Sequence, residues 1–479
     1  MGNKKKDVNT QFLLDKQITN HYDKNFHLIS KNGLAKSLKT LSFKQINFNK
    51  FFPRTYEMNN QSDFVDFCEE FKYTQAESIL KKHIENYQNN IEISKVKRLQ
   101  ILIALSYIKI KNQFFTQKKY VSPKSISQEE WIILSEQINL EQYLQDSNFY
   151  NKVFQKTIKK LNEDISNITQ LIKNQLEISQ KNDPQYTLNG KSNIWIVKPS
   201  GLSRGRGIRT FNKLEQLLQY VSGKELGWIT QKYLENPLTI NNKKFDIRQW
   251  VIVTDWKPLT IFCYQECYLR ICVDEYNEEN LSNKFAHLSN NCIQKNANNF
   301  QEKVDETMLF QNQFEEYLFK KTNVQDFFKQ KILKQIQNII IDSLVSVQNI
   351  IQPRKNSLEM YGYDFTIDED YNVWILEVNS SPSMDYSTKV TEKLVKKVLW
   401  DTVDIHQKCD KGWTPLLKAC SLGRTYFVNE LLKRGANPYE TDDKGENCYD
   451  KAQKFDRNQV LEILKNKDYD ENIQLEDRL

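Results

Sequence analysis

The spacing of apolar residues changes near residue 193, and this change limits the possible folds more than any other feature of the sequence. Before it, residues 64–107 and 129–179 carry apolar side chains at helical spacing. Asn182-Asp183-Pro184 then breaks the pattern, so residues 183–192 are predicted to be a linker or flexible crossing. Beyond it, apolar and polar residues alternate in short runs typical of strands, namely 193–197, 228–231, 245–253, 259–264 and the pair within 361–378.

The order of these segments predicts the fold class. A helical region comes first, strands follow, and helical spacing returns at residues 325–350 before the last pair of strands. That last pair flanks the short acidic turn Asp368-Glu369-Asp370, and strands joined by so short a turn pair antiparallel. We therefore predict an α/β (α+β) chain with an antiparallel component and an N-terminal helical region.

Composition narrows the class of protein further. A chain of 479 residues and 57.0 kDa exceeds what one core usually organises, so two or three structural units are expected. The longest apolar run, Ile101–Leu105, is much shorter than the roughly 20 residues of a membrane-spanning helix, and we predict no membrane segment. The first residues, Met1–Lys6, lack an apolar signal core and are interpreted as an exposed basic tail.

The net charge of +7 is unevenly distributed along the chain. Residues 401–479 hold 13 Lys and Arg against 16 Asp and Glu, a net charge of −3, which leaves +10 for residues 1–400. A basic excess suits an acidic partner, either nucleic acid or a Glu-rich peptide, but it is also common on solvated surfaces. Charge alone therefore does not decide the function.

An internal repeat marks the C-terminal part of the chain. Asp410-Lys411-Gly412 recurs as Asp443-Lys444-Gly445, and the separation of the two copies equals the ankyrin period. The first copy resembles the ankyrin consensus, with Leu417 where His is usual, whereas the second replaces Thr-Pro-Leu by Asn447-Cys448-Tyr449. We predict an all-α ankyrin pair over residues 401–479, without catalytic residues and with a possible protein partner.

The run from Lys244 to Val253 has two different faces. Strand alternation puts Lys244, Asp246 and Arg248 on one face and apolar side chains on the other. Such a segment is either an edge strand with a wet face or the floor of a polar site. In a polar site, the two basic side chains can bind phosphate oxygens by charge-assisted hydrogen bonds, and Asp246 can accept hydrogen bonds from ribose hydroxyls.

The strands within residues 361–378 bring a second polar set together. If this hairpin is symmetric about residues 370 and 371, Asp364 lies opposite Glu377, and Asn379 shares the face of Glu377. Two opposed carboxylates repel each other unless one is protonated or a cation bridges them. Two carboxylates and an amide are hard oxygen ligands that suit Mg²⁺, although a surface hairpin with incidental acids is the simpler alternative.

A glycine-rich basic loop follows the strand at 193–197. It reads Lys198-Pro199-Ser200-Gly201-Leu202-Ser203-Arg204-Gly205-Arg206-Gly207-Ile208 and matches neither the P-loop nor the GxGxxG pattern. Either it closes over phosphates with backbone N–H groups and arginines, or it is an ordinary flexible turn.

With Gln231-Lys232-Tyr233-Leu234 and His287-Leu288-Ser289-Asn290, these segments resemble the tubulin-tyrosine-ligase-like enzymes in order and spacing over about residues 190–385. The resemblance implies an ATP-grasp core that uses ATP and Mg²⁺. By position it implies nucleotide contacts from Lys198, Arg204, Gly205, Arg206, Gly207, Ile208, Gln231, Lys232, Tyr233, Leu234, Lys244 and Asp246. It likewise implies Mg²⁺ ligands at Asp364, Glu377 and Asn379, and catalytic roles near the γ-phosphate for Arg248, Arg270 and Asn290.

Within that family, four segments look most like the glycylases, namely 198–207, 253–260, 354–357 and 380–384. The resemblance implies an ATP-dependent ligase that joins glycine to glutamate γ-carboxylates in α/β-tubulin C-terminal tails through an acylphosphate. Such an enzyme is expected in the cytoplasm, on the cytoskeleton and on the microtubules of the cilium or axoneme. The implied domains are 1–125, the N-terminal region of the ligase; 126–400, the catalytic core; and 401–479, the repeats.

Three other functions fit the sequence less well. A glutamylase of the same family would differ only in whether its amino-acid pocket admits a second carboxylate. A non-catalytic microtubule or ankyrin scaffold would not need the set Asp364, Glu377 and Asn379. Nucleic-acid binding is not expected, because the basic residues are not interleaved with a recognisable binding motif.

Overall fold

The computed structural model describes residues 20–117, 126–135, 139–201, 205–223, 227–298, 300–354, 357–402 and 412–465. The chain divides into two compact units, 1–390 and 391–479. None of the helices in these ranges combines the length and the apolar character that crossing a bilayer requires.

The elements are numbered in chain order. The helices are α1 (Phe26–Ile29), α2 (Lys31–Lys39), α3 (Gln61–Gln88), α4 (Lys95–Gln117), α5 (Gln128–Ser135), α6 (Leu140–Tyr143), α7 (Ser147–Leu161), α8 (Ile168–Asn182), α9 (Leu214–Val221), α10 (Lys284–His287), α11 (Asn291–Gln294), α12 (Phe300–Lys303), α13 (Gln311–Thr322), α14 (Lys334–Val347), α15 (Lys389–Thr402), α16 (Pro415–Ser421), α17 (Thr425–Lys433), α18 (Cys448–Lys454) and α19 (Asn458–Lys465). The strands are β1 (Thr55–Glu57), β2 (Trp195–Pro199), β3 (Arg209–Phe211), β4 (Trp228–Lys232), β5 (Thr239–Ile240), β6 (Lys243–Trp256), β7 (Leu259–Cys263), β8 (Tyr268–Ile271), β9 (Met308–Phe310), β10 (Glu359–Ile367) and β11 (Val373–Ser380).

The three helical segments predicted from apolar spacing are confirmed. Most of residues 64–107 lies in α3 and α4, and most of the described part of residues 129–179 lies in α5 to α8. The Asn60 side chain caps α3 by accepting a hydrogen bond of 3.1 Å from the backbone N–H of Asp63. Residues 325–350 contain a π-helical turn, Phe328–Leu333, that runs into α14.

The prediction of a flexible linker at residues 183–192 is wrong. The Arg54 guanidinium lies 3.3 Å from the Asp183 carboxylate, and the Arg54 backbone N–H donates to the Gln185 side chain at 2.8 Å. Asn189 is buried and donates to Glu77 at 3.0 Å. The polar composition of residues 183–192 is typical of a flexible loop, but contacts with residues distant in the sequence hold this segment in place.

The strands form two antiparallel sheets. The four-stranded sheet has the order β1-β4-β2-β3, and the larger sheet has the order β11-β10-β6-β8-β9, with β5 and β7 also paired to β6. Every strand pair in the described part of the chain is antiparallel, which confirms the predicted arrangement. Residues 51–54 contact both sheets. The Phe51 carbonyl accepts a hydrogen bond from the backbone N–H of Ile375 in β11, and the Arg54 carbonyl accepts one from the backbone N–H of Lys232 in β4.

The predicted two faces of β6 are confirmed. Phe245, Ile247, Val251 and Val253 are buried in the main hydrophobic core, which also contains apolar residues of α13 and α14. Burying side chains of this size stabilises the sheet by about 1.5–3 kcal/mol each. The opposite face of β6 carries the polar residues, of which Lys244 and Asp246 lie across from residues of the smaller sheet.

The second unit contains two helix pairs. The first residues of α16 and α18 are separated by the same number of residues as the two copies of the sequence repeat, and so are the first residues of α17 and α19. Each copy of the repeat therefore forms one pair of helices. The Thr414 hydroxyl caps α16, and Asn447 takes the same role for α18, which explains how the degenerate second copy still folds. Leu416, Cys420, Val428 and Cys448 are buried in a small core shared by the two pairs.

Candidate functional site

A cleft lies between the two sheets of the first unit. The volume of this cavity is about 80 Å³. The walls come from β2 and β4 on one side and from β6, β10 and β11 on the other. The lining residues predicted from the sequence are Lys198, Ile208, Gln231, Lys232, Tyr233, Leu234, Lys244, Asp246, Asn290, Asp364 and Glu377.

Two buried lysines face this cleft. The Lys198 ammonium donates a 2.7 Å hydrogen bond to Gln231, whose amide in turn donates to the Thr55 hydroxyl at 2.9 Å. Burial lowers the pKa of Lys198 to about 8, although the nearby Glu377 carboxylate opposes this effect. Burial also lowers the pKa of Lys244, whose ammonium lies 5.7 Å from the centre of the Tyr233 ring. Both ammonium groups would be stabilised by an anionic ligand.

Two arginines and two aspartates form a continuous buried network beside the lysines. The Arg270 guanidinium donates two hydrogen bonds to the Asp246 carboxylate, from Nε at 2.6 Å and from Nη2 at 2.7 Å. Its Nη2 also lies 2.8 Å from an oxygen of Asp364. Arg248 binds Asp364 at 2.5 and 3.2 Å. Burial opposes ionisation of Asp364, but the two guanidinium groups more than offset it and hold its pKa below the usual value. The Ser289 hydroxyl donates to Asp246.

The predicted pairing of Asp364 with Glu377 is confirmed, and a β-bulge positions it. Asp364 lies opposite Glu377, whereas Phe365 lies opposite Ile375, so Leu376 is an extra residue in β11. Ile375 belongs to the hydrophobic core, and strict alternation would put Glu377 on that same face. The bulge instead turns both Leu376 and Glu377 into the cleft.

Asn379 joins the two carboxylates, as predicted. Its amide nitrogen lies 3.4 Å from an oxygen of Asp364 and 3.3 Å from an oxygen of Glu377. The three side chains therefore converge at one edge of the cleft. Asp364 differs from the expectation in one respect, because its charge is already compensated by arginines.

The glycine loop is described only in part, since Arg204 lies outside the described residues. Gly205 and Gly207 have φ of 71° and 72°, values that favour glycine. A Cβ on Gly205 would lie 2.2 Å from Ile293, so the loop packs directly on α11 next to Asn290. Arg206 is exposed.

The segment Gln231–Leu234 lines the cleft. Tyr233 bonds to His287 at 2.9 Å. The Lys232 ammonium is instead held by the Glu235 carboxylate and the Ile194 carbonyl, in the interior of the smaller sheet. Any contact of Lys232 with a ligand therefore falls to its backbone.

Comparison with known proteins agrees with this geometry. The sequence model of the tubulin-tyrosine ligase family matches residues 124–412, and that of the ankyrin repeat matches residues 411–443. The chain belongs to the tubulin-tyrosine ligase family.

Several members of the tubulin-tyrosine ligase family are similar to most of this chain. Tubulin glycylase 3C of Tetrahymena thermophila is 40% identical over 454 residues, covering 84% of this chain and 42% of the relative. Tubulin monoglycylase TTLL3 of Danio rerio is 32% identical, covering 83% and 54%, and protein monoglycylase TTLL8 of Mus musculus is 31% identical, covering 84% and 52%. The chain thus spans about half the length of these relatives.

The structure adds residues that the sequence patterns did not single out. Pro53, Leu376 and Thr366 line the cleft. Lys31, on α2, acts electrostatically on Lys198, which belongs to a distant part of the chain. Strand alternation in β10 could have predicted that Thr366 faces the cleft, because Thr366 lies on the same face of the strand as Asp364. No local pattern points to Lys31.

Proposed function

We propose that this chain is an ATP-dependent ligase that forms an isopeptide bond between glycine and glutamate γ-carboxylates in tubulin C-terminal tails. The observation that carries the proposal is the meeting of buried Lys198 and Lys244 with the set Asp364, Glu377 and Asn379 in one cleft. Membership of the tubulin-tyrosine ligase family supports it, as do the glycylase names of the relatives.

The donor set at the cleft edge fits Mg²⁺. Asp364 and Glu377 offer hard carboxylate oxygens beside the Asn379 amide, and Mg²⁺ in phosphate-transfer sites takes only one or two carboxylates and completes its shell with phosphates and water. Within the described ranges, no group of three or more His, Cys, Asp or Glu side chains is arranged to hold a metal ion by itself. When bound, the ion would neutralise charge on the nucleotide phosphates.

The two buried lysines suit the same polyphosphate. Each is nearly excluded from water, with 7% exposure at Lys198 and 6% at Lys244, and burial of an ammonium group is unfavourable unless an anion compensates it. A triphosphate would restore the full charge on both groups. The apolar walls of the cleft, which include Ile196, Leu234 and Leu376, would take the base.

The reaction proceeds in two displacements. A γ-carboxylate oxygen of the tubulin glutamate attacks the terminal phosphorus of ATP, and ADP leaves with the electrons of the broken P–O bond. The glycine amine then attacks the acyl carbon, loses a proton and expels inorganic phosphate. Arg248 and Arg270, which are paired with Asp364 and Asp246, would lie near the oxygens on which negative charge develops. Enclosure between the sheets orients the reacting groups.

Glycine has no side chain to recognise, so selectivity for it must come from exclusion of larger or charged amino acids. The purified chain is incubated with tubulin, Mg²⁺, ATP and equal amounts of glycine and glutamate, and tail peptides are weighed by mass spectrometry. Glycine-sized steps alone are expected. Glutamate-sized steps at comparable yield would assign the chain to the glutamylases, and no incorporation on intact tubulin would favour a scaffold or another acceptor.

We further propose that the enzyme works on microtubules of cilia or axonemes in the cytoplasm, where such tails are concentrated. The net charge of +10 on residues 1–400 would speed its encounter with acidic tails and make binding salt-sensitive. The ankyrin pair is proposed to bind a protein partner. Ligation that does not change between low and high salt would contradict the electrostatic part.

A further inference from the structure

The hydroxyl of Thr366 is buried without a partner at the wall of the cleft. Thr366 is 1% exposed, and within the described part of the chain its Oγ1 makes no hydrogen bond. Lys198 and Tyr233, by contrast, have hydrogen-bond partners at the same cleft, namely Gln231 and His287. A buried hydroxyl that lacks a partner is unfavourable, and a ligand that supplies the partner removes that unfavourable contribution.

Thr366 lies one strand step from Asp364 and next to an apolar cluster. Thr366 and Asp364 share a face of β10 and are separated by one two-residue step, about 6.6 Å along a strand. The register partner of Thr366 is Trp374, which packs against Leu234 in a small hydrophobic cluster. The hydroxyl is therefore a polar atom among apolar walls, one step away from the expected phosphate position.

From this placement we infer that the Thr366 hydroxyl hydrogen-bonds the polar edge of the nucleotide base. The inference rests on the proposed function, because it takes the phosphates to lie at Asp364 and Glu377. A purine presents apolar faces to walls such as Leu376 and ring nitrogens or an amino group at its edge. A hydroxyl both donates and accepts, so it can pair with either kind of edge atom.

Two substitutions separate the hydroxyl from the shape of the side chain. Thr366→Val keeps the volume and removes the oxygen, whereas Thr366→Ser keeps the oxygen. Loss of one neutral hydrogen bond should weaken binding of the Mg²⁺ complex of a non-hydrolysable ATP analogue roughly threefold to tenfold in Thr366→Val. Thr366→Ser should bind within about twofold of the wild type, since its hydroxyl is retained.

The experiment measures dissociation constants by calorimetry for two probes, the Mg²⁺ complexes of AMPPNP and of inorganic tripolyphosphate, which has no base. The valine variant is expected to lose affinity for AMPPNP and to bind tripolyphosphate like the wild type. Its melting temperature without ligand should be equal to or above that of the wild type, because an unpaired buried hydroxyl has been removed.

Each other outcome has a distinct meaning. Wild-type affinity of Thr366→Val for AMPPNP would overturn the base contact while leaving the proposed ligase intact. An equal loss for both probes would also overturn it, because the effect would not concern the base. If the wild type binds neither probe, the proposed nucleotide site is wrong, and the role of Thr366 with it.

Discussion

Nucleotide binding should weaken as pH rises above 8, because Lys198 must regain a proton. Burial lowers the pKa of this ammonium to about 8, so the group is partly neutral in the free protein. An adjacent polyphosphate favours the charged form and raises the pKa again. Because the pKa is higher in the complex, binding takes up a proton at and above pH 8 and is strongest below that value.

The magnitude follows from the free-protein pKa. About 0.1 proton should be taken up at pH 7, about 0.5 at pH 8 and about 0.9 at pH 9, if the complex keeps Lys198 fully charged. Since one pKa unit corresponds to about 1.36 kcal/mol, affinity should fall about tenfold between pH 7 and pH 9. Lys244, whose pKa is also lowered by burial, would add to this slope.

The assay is calorimetric titration with Mg²⁺ and AMPPNP at pH 7 to 9, in buffers of different ionisation heat, which gives the number of protons taken up. Lys198→Met should bind more weakly at pH 7 and show a flatter pH dependence. Lys320→Met is a matched control, because Lys320 is an exposed lysine paired only with Glu316 in the described contacts, and it should keep the wild-type slope. No proton uptake by the wild type at pH 8 to 8.5, or a full slope in Lys198→Met, would refute the reasoning.

Three further changes test separate parts of the structure. Glu377→Gln removes a negative ligand of the proposed Mg²⁺ and should nearly abolish ligation with an unchanged melting temperature, so normal turnover would make the metal assignment wrong. Gly205→Ala should lower the free energy of unfolding by at least about 1–2 kcal/mol in urea titration, because φ is 71° and the new Cβ would lie 2.2 Å from Ile293. Gly201→Ala, with no atom within 4 Å of its Cβ, is the control, and equal effects of the two would contradict the packing argument. Ending the chain after Thr402 should preserve ligation, and an inactive but folded truncation would mean that the repeats contribute to catalysis.

The polar face of the site was predictable because it depends on backbone geometry alone. Side chains on a strand alternate with a period of two, so Lys244, Asp246 and Arg248 necessarily share one face of β6. The predicted pairing of Asp364 with Glu377 is present, but it depends on the bulge, because the register next to the turn would otherwise place Leu376 opposite Asp364. The roles of these residues towards ATP and Mg²⁺ remain predictions.

The partners of the charged groups were not predictable in the same way. Arg248 was expected to face phosphates, yet it binds Asp364 on another strand, and Arg270 joins Asp364 to Asp246. Such contacts depend on how separate strands are placed within a sheet. Lys31 reaches the same site from α2 for the same reason.

The helical and strand segments, the antiparallel hairpin, the polar face of β6 and the repeated helix pair were predictable, because each follows from residue spacing within a short stretch of chain. The bulge at Leu376 that turns Glu377 into the cleft, the arginine network and the contacts that hold residues 183–192 became visible only in the folded chain. These features depend on contacts between side chains from distant parts of the chain, and the periodicity of a short segment contains no information about such contacts.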